Sequence, residues 1–395
     1  MTQRNEVLKE ELQRTGGVSP ETSRSIAIMR FVLPFAVMAV HVFTLHNFHV
    51  KGIEYDFSQY PVAQGLEYFV KTFISDFSVP CFFFISGFLF FSSGFSGDIY
   101  KRKLRSRFWS LLVPYLLWNL LMVGYQALHF TPLFTAIAPS LANGHFDMTP
   151  GVFFLRFVNP PHIPPLWFIR ELMTMVLISP VIFWLVNRFR WKVIVVMWCV
   201  WAVCMMVFTF GYILTITQSL LFFSAGSTFA ILRKDPVAEM RRHIRAACII
   251  FGTLGLAGFV MCFTTGWQSV VALKPFSVPC ALVIAFTGAL MWGKSDLRQR
   301  LLGPHALSDR FPGLSFMIFA SHWLIIYDMQ FLVFAVVKPT SDIGVASCVI
   351  LSYICLGAGI MLCYRLLGRV WPAAQRLLTG RAGKKKKRAA ATAAA

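Results

Sequence analysis

Long apolar runs recur along the whole chain, and short polar stretches rich in Lys and Arg divide them. A helix rising 1.5 Å per residue needs about 20 apolar residues to cross a hydrocarbon core about 30 Å thick. Ten runs are read as spans: 25–45, 73–93, 108–128, 165–187, 193–209, 212–232, 247–264, 270–293, 314–336 and 343–364. The predicted fold is an all-α, polytopic membrane helix bundle of about ten transmembrane helices. No stretch is long enough to make a separate soluble domain, and no internal repeat is visible.

The polar stretches assign the sides. The N-terminal segment, the segments after spans two, four, six and eight, and the tail from Arg365 hold 4, 5, 3, 5, 4 and 9 Lys or Arg. The alternate segments hold only Lys51, Lys71, Arg156 and Lys338. Excess Lys and Arg marks the cytoplasmic face, so both termini are expected inside. The expected division is a cytoplasmic segment 1–24, a membrane domain 25–365 and a basic cytoplasmic tail 366–395, disordered from about residue 380. The N-terminal "RNEVLKEELQR" has charges of both signs and no apolar core, unlike a signal peptide. The first span is therefore expected to stay as an uncleaved anchor.

Composition supports the membrane assignment. Of 395 residues, 57% are hydrophobic and 14% charged, and there are 40 phenylalanines. Soluble domains are about 45–50% apolar and about 25% charged. A net charge of +20 would suit a nucleic-acid partner if it formed one surface. Here it lies in short clusters between spans, so the expected surroundings are membrane lipids, not nucleic acid. The nine cysteines all lie in apolar runs and form no CxxC pair, which argues against a disulfide framework or zinc site.

An ionisable residue within a span costs about 2.5–3.5 kcal/mol on insertion scales, so each one is a site candidate. Arg30 and His41 share the first span. Eleven residues leave only about 20° after three helical turns, so both side chains share a face about 16 Å apart along the axis. Alone, Arg30 reads equally as a side chain snorkelling to headgroups, and His41 as an interhelical hydrogen-bonding residue. His41, His46 and His49 are spaced unsuitably for a metal, and none is expected. Asp76 enters span two at a depth comparable with His41. Arg170 and Glu171 open span four, and His322 lies near mid-membrane in span nine. Adjacent helical residues point about 100° apart, so Arg170 and Glu171 need not pair. Lys274 near the outer end of span eight reads as snorkelling. Ser86 and Gly87 suit close helix packing. Proton-coupled secondary transport is the alternative that these intramembrane charges also fit.

At these residues the chain resembles the membrane acyltransferase-3 family. Arg30 and His41 match its Arg-x10-His signature. "SVPCFFFISGFLF", "KLRSRFWSLLVPYLLWN", "PPLWFIREL" and "SFMIFASHWLII" are similar, in order, to further segments of the family. The resemblance covers about residues 25–365. The departures are Ser110 three residues after Arg107, where the family often repeats arginine, and Glu171 where aspartate is common.

The resemblance implies transfer of an acyl group, often acetyl, from acyl-CoA to a hydroxyl of a carbohydrate or lipid-linked glycan. No permanently bound cofactor is implied, since acetyl-CoA is a substrate. On this view Arg30, Arg102, Arg105 and Arg107 hold the donor's phosphates from the inner side, as guanidinium forks suit phosphate oxygens. His41 is general base or acyl carrier, Asp76 or Glu171 orients it, Arg170 steadies an oxyanion, and His322 lies below. The acceptor is expected on the outer side, under the segment 129–162. The expected location is the plasma membrane, the inner membrane of a bacterium.

Overall fold

Prolines shape the spans, because each lacks the N–H that would bond the carbonyl four residues back. The computed structural model describes residues 18–44, 46–129, 131–132, 149–157, 161–207, 211–264, 270–295 and 313–381. Its main apolar helices are α1 (Pro20–Val42), α2 (Ser78–Ser92), α3 (Val113–His129), α4 (Trp167–Leu177), α5 (Ser179–Phe189) and α6 (Lys192–Val207). They continue as α7 (Tyr212–Ile231), α8 (Ile244–Thr264), α9 (Lys274–Lys294), α10 (Leu314–Val337) and α11 (Asp342–Val370).

Among the described residues, eight helices are long and apolar enough to cross a bilayer, or nine if the bent pair α4–α5 makes one span. The protein is thus a polytopic all-α membrane protein, with two departures from the expected ten spans. The pair α4–α5 bends by 63°. Pro180 sits at the break, and the Val176 carbonyl it leaves unbonded accepts from Ser179 Oγ at 2.8 Å instead. Helix α6 has 16 residues, about 24 Å, which is short of a core about 30 Å thick. The expected end of that run, 208–209, lies outside the described residues.

The expected second span begins much earlier. It starts as Pro61–Phe69, loosens into a π-helical turn at Val70–Ser75, and resumes as α2. Asp76 N–H bonds the Lys71 carbonyl across that wide turn. Pro80 removes the donor that the Asp76 carbonyl would otherwise have. The expected third span likewise opens with a π turn, Phe108–Leu112, after the basic helix Gly97–Arg107.

The chain forms two compact units. One comprises Met1–Val40, Glu67–Tyr100 and Thr174–Phe311. Its centre is α2 against α7, where two glycines let backbones touch. A Cβ on Gly87 would lie 2.0 Å from the Phe223 carbonyl oxygen, and one on Gly226 would lie 1.9 Å from that of Phe84. At the start of α1, Glu21 pairs with Lys294 and with Arg241. Thr22 Oγ1 donates to Asp235 at 2.8 Å. Asp235 also caps the short helix Pro236–Arg242 through the Ala238 N–H.

The other unit comprises His41–Leu66, Lys101–Met173 and Pro312–Ala395. Here α10 packs along α11. A small antiparallel hairpin, β1 (Phe48–Val50) with β2 (Ile53–Tyr55), was not anticipated by the all-α reading. Its two-residue turn has positive φ at Lys51 and Gly52, the type I′ geometry favoured by strand twist. Phe48, Tyr55 and Phe57 pack around buried Phe334 near the end of α10. Asp342 begins α11 and also accepts from the N–H groups of Val62 and Ala63, so it serves two helix N-termini.

Helix α11 runs to Val370, past the expected boundary at 365, and a further helix follows at Pro372–Leu378. Trp118 Nε1 donates to the Leu378 carbonyl, docking that end on α3. Gly380, at φ 68°, lies over the Ser110 carbonyl, where a Cβ would come within 2.3 Å. The first 17 residues and the basic tail from 382 lie outside the described residues, as does most of the segment expected to cover an acceptor.

Candidate active site

Two histidines 281 positions apart in sequence meet where the end of α1 reaches α10. The His41 and His322 rings stack with centroids 5.2 Å apart and planes 25° apart. Trp323 meets His41 edge-on, at 5.1 Å and 85°. Gln330 Nε2 donates to the Val42 carbonyl at 2.9 Å and so holds the end of α1, where carbonyls run out of helical donors.

His322 is fully buried, whereas His41 is half-buried. His322 Nδ1 lies 2.9 Å from the Ile318 carbonyl. Only a protonated nitrogen can donate there, so Nδ1 carries the hydrogen and the neutral ring presents a lone pair at Nε2. That Nε2 has no hydrogen-bond partner among the described residues. Native proteins rarely leave a buried polar atom unpaired, because it costs about 1–3 kcal/mol. An imidazole nitrogen kept in this state suits proton transfer or nucleophilic attack.

A second polar group stands on the neighbouring helix. Arg170 Nη2 donates to Glu171 Oε1 at 2.8 Å, so the adjacent residues do pair. Glu171 is fully buried, and its second carboxylate oxygen has no partner among the described residues. Helix α4 touches α10 through Phe168 and Phe319, rings 5.5 Å apart. Phe319 lies one turn before His322, so the two polar groups flank the same contact. The entry to α4 is fixed by a 3₁₀ turn, Pro164–Leu166. Fully buried Asn119 accepts from Ile163 N–H and donates to the Tyr115 carbonyl.

The other expected residues have the following surroundings. Asp76 is engaged by Lys274, its oxygens 3.1 Å from Nζ. Lys274 is therefore an ion-pair partner rather than a snorkelling residue. Arg30 is exposed on α1, although Met29 and Leu33 on either side are buried. Arg102 and Arg105 are exposed, and Arg107 half-buried, on Gly97–Arg107. Among the described residues, no three His, Cys, Asp or Glu side chains gather as a metal ion would require.

Three polar residues were not among the candidate site residues, although Asn119 closes one of the family-like segments. Asn119 and Gln330 are uncharged, so a search for ionisable groups passes over them. Asp328, half-buried on α10, is an intramembrane carboxylate that the same search should have found.

A family model described as an acyltransferase domain matches residues 23–364, from the start of α1 to within α11. The chain belongs to the acyltransferase-3 family. It is an enzyme, a multi-pass membrane acyltransferase. It is similar to the succinoglycan biosynthesis protein ExoH of Rhizobium meliloti (strain 1021), with 27% identity over 305 residues. That match covers 76% of this chain and 78% of ExoH. No solved structure matches. The stacked His41–His322 pair and the Arg170–Glu171 pair both lie inside the matched residues, as does Arg30.

Proposed function

We propose that this acyltransferase moves an acetyl group from acetyl-CoA to a hydroxyl of a carbohydrate or lipid-linked glycan. The observation that carries the proposal is the His41–His322 pair, in which the histidine of the Arg-x10-His signature lies against a buried ring with an unpaired Nε2. The similarity to a protein of succinoglycan biosynthesis supports a polysaccharide acceptor.

In this scheme half-buried His41 faces the substrates. It takes the proton of the acceptor hydroxyl as that oxygen attacks the thioester carbonyl. Arg170 stabilises the tetrahedral oxyanion, and Glu171 holds the guanidinium in place. Collapse breaks the carbon–sulfur bond, and the departing CoA thiolate receives the proton from His41. His322 stays neutral throughout, since two charged rings 5.2 Å apart would repel. Its fixed tautomer keeps a hydrogen-bond acceptor beside His41. General-base assistance of this kind contributes about 10²–10⁴ in rate.

The asymmetric distribution of Lys and Arg supports a cytoplasmic location for both termini, and the similarity to a Rhizobium protein supports the inner membrane of a bacterium. The CoA phosphates would then meet Arg102, Arg105 and Arg107, with the acceptor on the opposite side. Asp76 belongs to this scheme only if its carboxylate acts beyond its pairing with Lys274.

The test is release of free CoA from acetyl-CoA by the purified protein in detergent, with a mixed glycan acceptor, comparing wild type with His41→Ala. Acceptor-dependent release that falls at least 100-fold in the variant supports the scheme. Unchanged release in the variant removes His41 from the chemistry. No release by folded wild-type protein with any acyl-CoA would favour the transport alternative.

A further inference from the structure

Within the unit built around α2 and α7 lies a cavity of about 620 Å³ that the proposed chemistry does not use. Its walls are helical stripes. Trp191, Ile194, Val195 and Trp198 extend along the start of α6, and Pro279, Leu282 and Val283 along α9. Helix α7 completes it with Leu221, Phe222, Ala225 and Phe229. Phe229 is edge-on to Trp191 at 5.0 Å and to Phe84 at 5.6 Å, so aromatic rings line the wall at the end nearest Lys234.

The Trp198 indole N–H on these walls is already satisfied. Pro279 deprives the Pro275 carbonyl of its helical donor, and Trp198 Nε1 donates to that carbonyl at 2.8 Å. The indole therefore turns hydrocarbon toward the cavity. Polar residues occur at one end only, where Lys234, Glu239 and His243 line the rim. Glu239 is held by Arg242 at 2.9 Å. Lys234 has no ion-pair partner among the described residues, so the rim keeps an unopposed positive charge.

We propose that this cavity holds one acyl chain of a membrane phospholipid whose anionic headgroup rests on Lys234 and His243. From Leu221 to Phe229 the wall spans about 12 Å, close to the roughly 15 Å depth of one leaflet. A basic residue at the membrane surface attracts anionic lipid, and the compact ammonium of Lys234 suits a phosphate oxygen. An apolar wall with its charge at one end matches an amphiphile, not a soluble nucleotide or a sugar. The bound lipid would fill the space between α6, α7 and α9 and brace the short helix α6.

The test is native mass spectrometry of the full-length protein in detergent, titrated with dioleoyl-phosphatidylglycerol or with the phosphatidylcholine of the same chains. One phosphatidylglycerol should be retained at least tenfold more strongly than phosphatidylcholine. Ala225→Phe should abolish that single retained lipid, and Lys234→Glu should erase the headgroup preference while leaving the cavity intact. Thermal melting of both variants identifies any that fails to fold, and Lys234→Glu at the exposed rim is the one expected to melt as wild type does. Equal retention of the two lipids by wild type would overturn the proposal. So would an unchanged single-lipid peak in folded Ala225→Phe, or retention of an isoprenyl phosphate in place of phosphatidylglycerol.

Discussion

His322→Phe separates chemistry from packing. Phenylalanine keeps a flat ring in the fully buried site and preserves the stack against His41. It loses the Nδ1 hydrogen bond to the Ile318 carbonyl, worth about 0.5–1.5 kcal/mol net. It also removes the unpaired Nε2, whose burial costs about 1–3 kcal/mol. The two effects oppose, so the variant should be as stable as wild type within about 1 kcal/mol, or slightly more stable. If the Nε2 lone pair serves His41 in the reaction, kcat should fall by about 10²–10⁴, equivalent to about 3–5 kcal/mol of transition-state stabilisation. The assay is CoA release at saturating acetyl-CoA and acceptor, with a thermal melt on the same sample. KM for acetyl-CoA should not change, because the ring is placed behind His41 rather than against the donor. Full activity in His322→Phe would refute this account and reduce His322 to a packing residue.

Four further substitutions test three features of the fold. Gly226→Ala places a Cβ 1.9 Å from the Phe84 carbonyl oxygen, about 1.5 Å short of the 3.4 Å at which ordinary contact begins. Helices α2 and α7 must part, so stability should fall by about 1–3 kcal/mol or more, read as a lower melting temperature. Lys274→Met leaves Asp76 without its partner. Because each side chain keeps a fifth to a quarter of its exposure, the loss should be below the roughly 3–5 kcal/mol of a fully buried pair. Asp76→Asn with Lys274→Met should recover that stability, and activity recovered in the double variant would confine Asp76 to the ion pair. In the hairpin segment, Asp56 accepts from the Ser58 hydroxyl and N–H, from Gln59 and from Asn47, which hold its carboxyl below the usual carboxylate range. A lowered folded-state value means the stabilisation is present above the ordinary carboxylate value of about 3.9 and lost as pH falls through the lowered one. Hydrogen exchange at the Ser58 amide should therefore accelerate in acid, and Asp56→Asn should remove most of that dependence.

The sequence by itself determined where apolar helices lie, because crossing length and hydropathy are properties of contiguous residues. Nine of the ten expected runs coincide with helices that cross by length and composition, counting α4–α5 as one broken span, and the tenth with the shorter α6. The placement of Arg30 and His41 on one helix was legible too, since eleven residues and the helical period decide it. Family membership was legible because its motifs are short and ordered along the chain. The breaks were less visible, although Pro80 and Pro180 mark them in the sequence.

Only tertiary structure decided which charges meet. Lys274 finds Asp76 across 198 positions, and Arg170 turns to its immediate neighbour although a helix separates adjacent side chains by about 100°. Neither follows from spacing, because long side chains choose partners by burial and proximity in space. The same holds for His322. Sequence marked it as an expensive residue in a span, but its tautomer depends on the Ile318 carbonyl and its surroundings on a ring brought from α1. Local pattern sets which residues cost free energy in a membrane. The fold decides which of those costs is offset by a partner and which, among the described residues, is not.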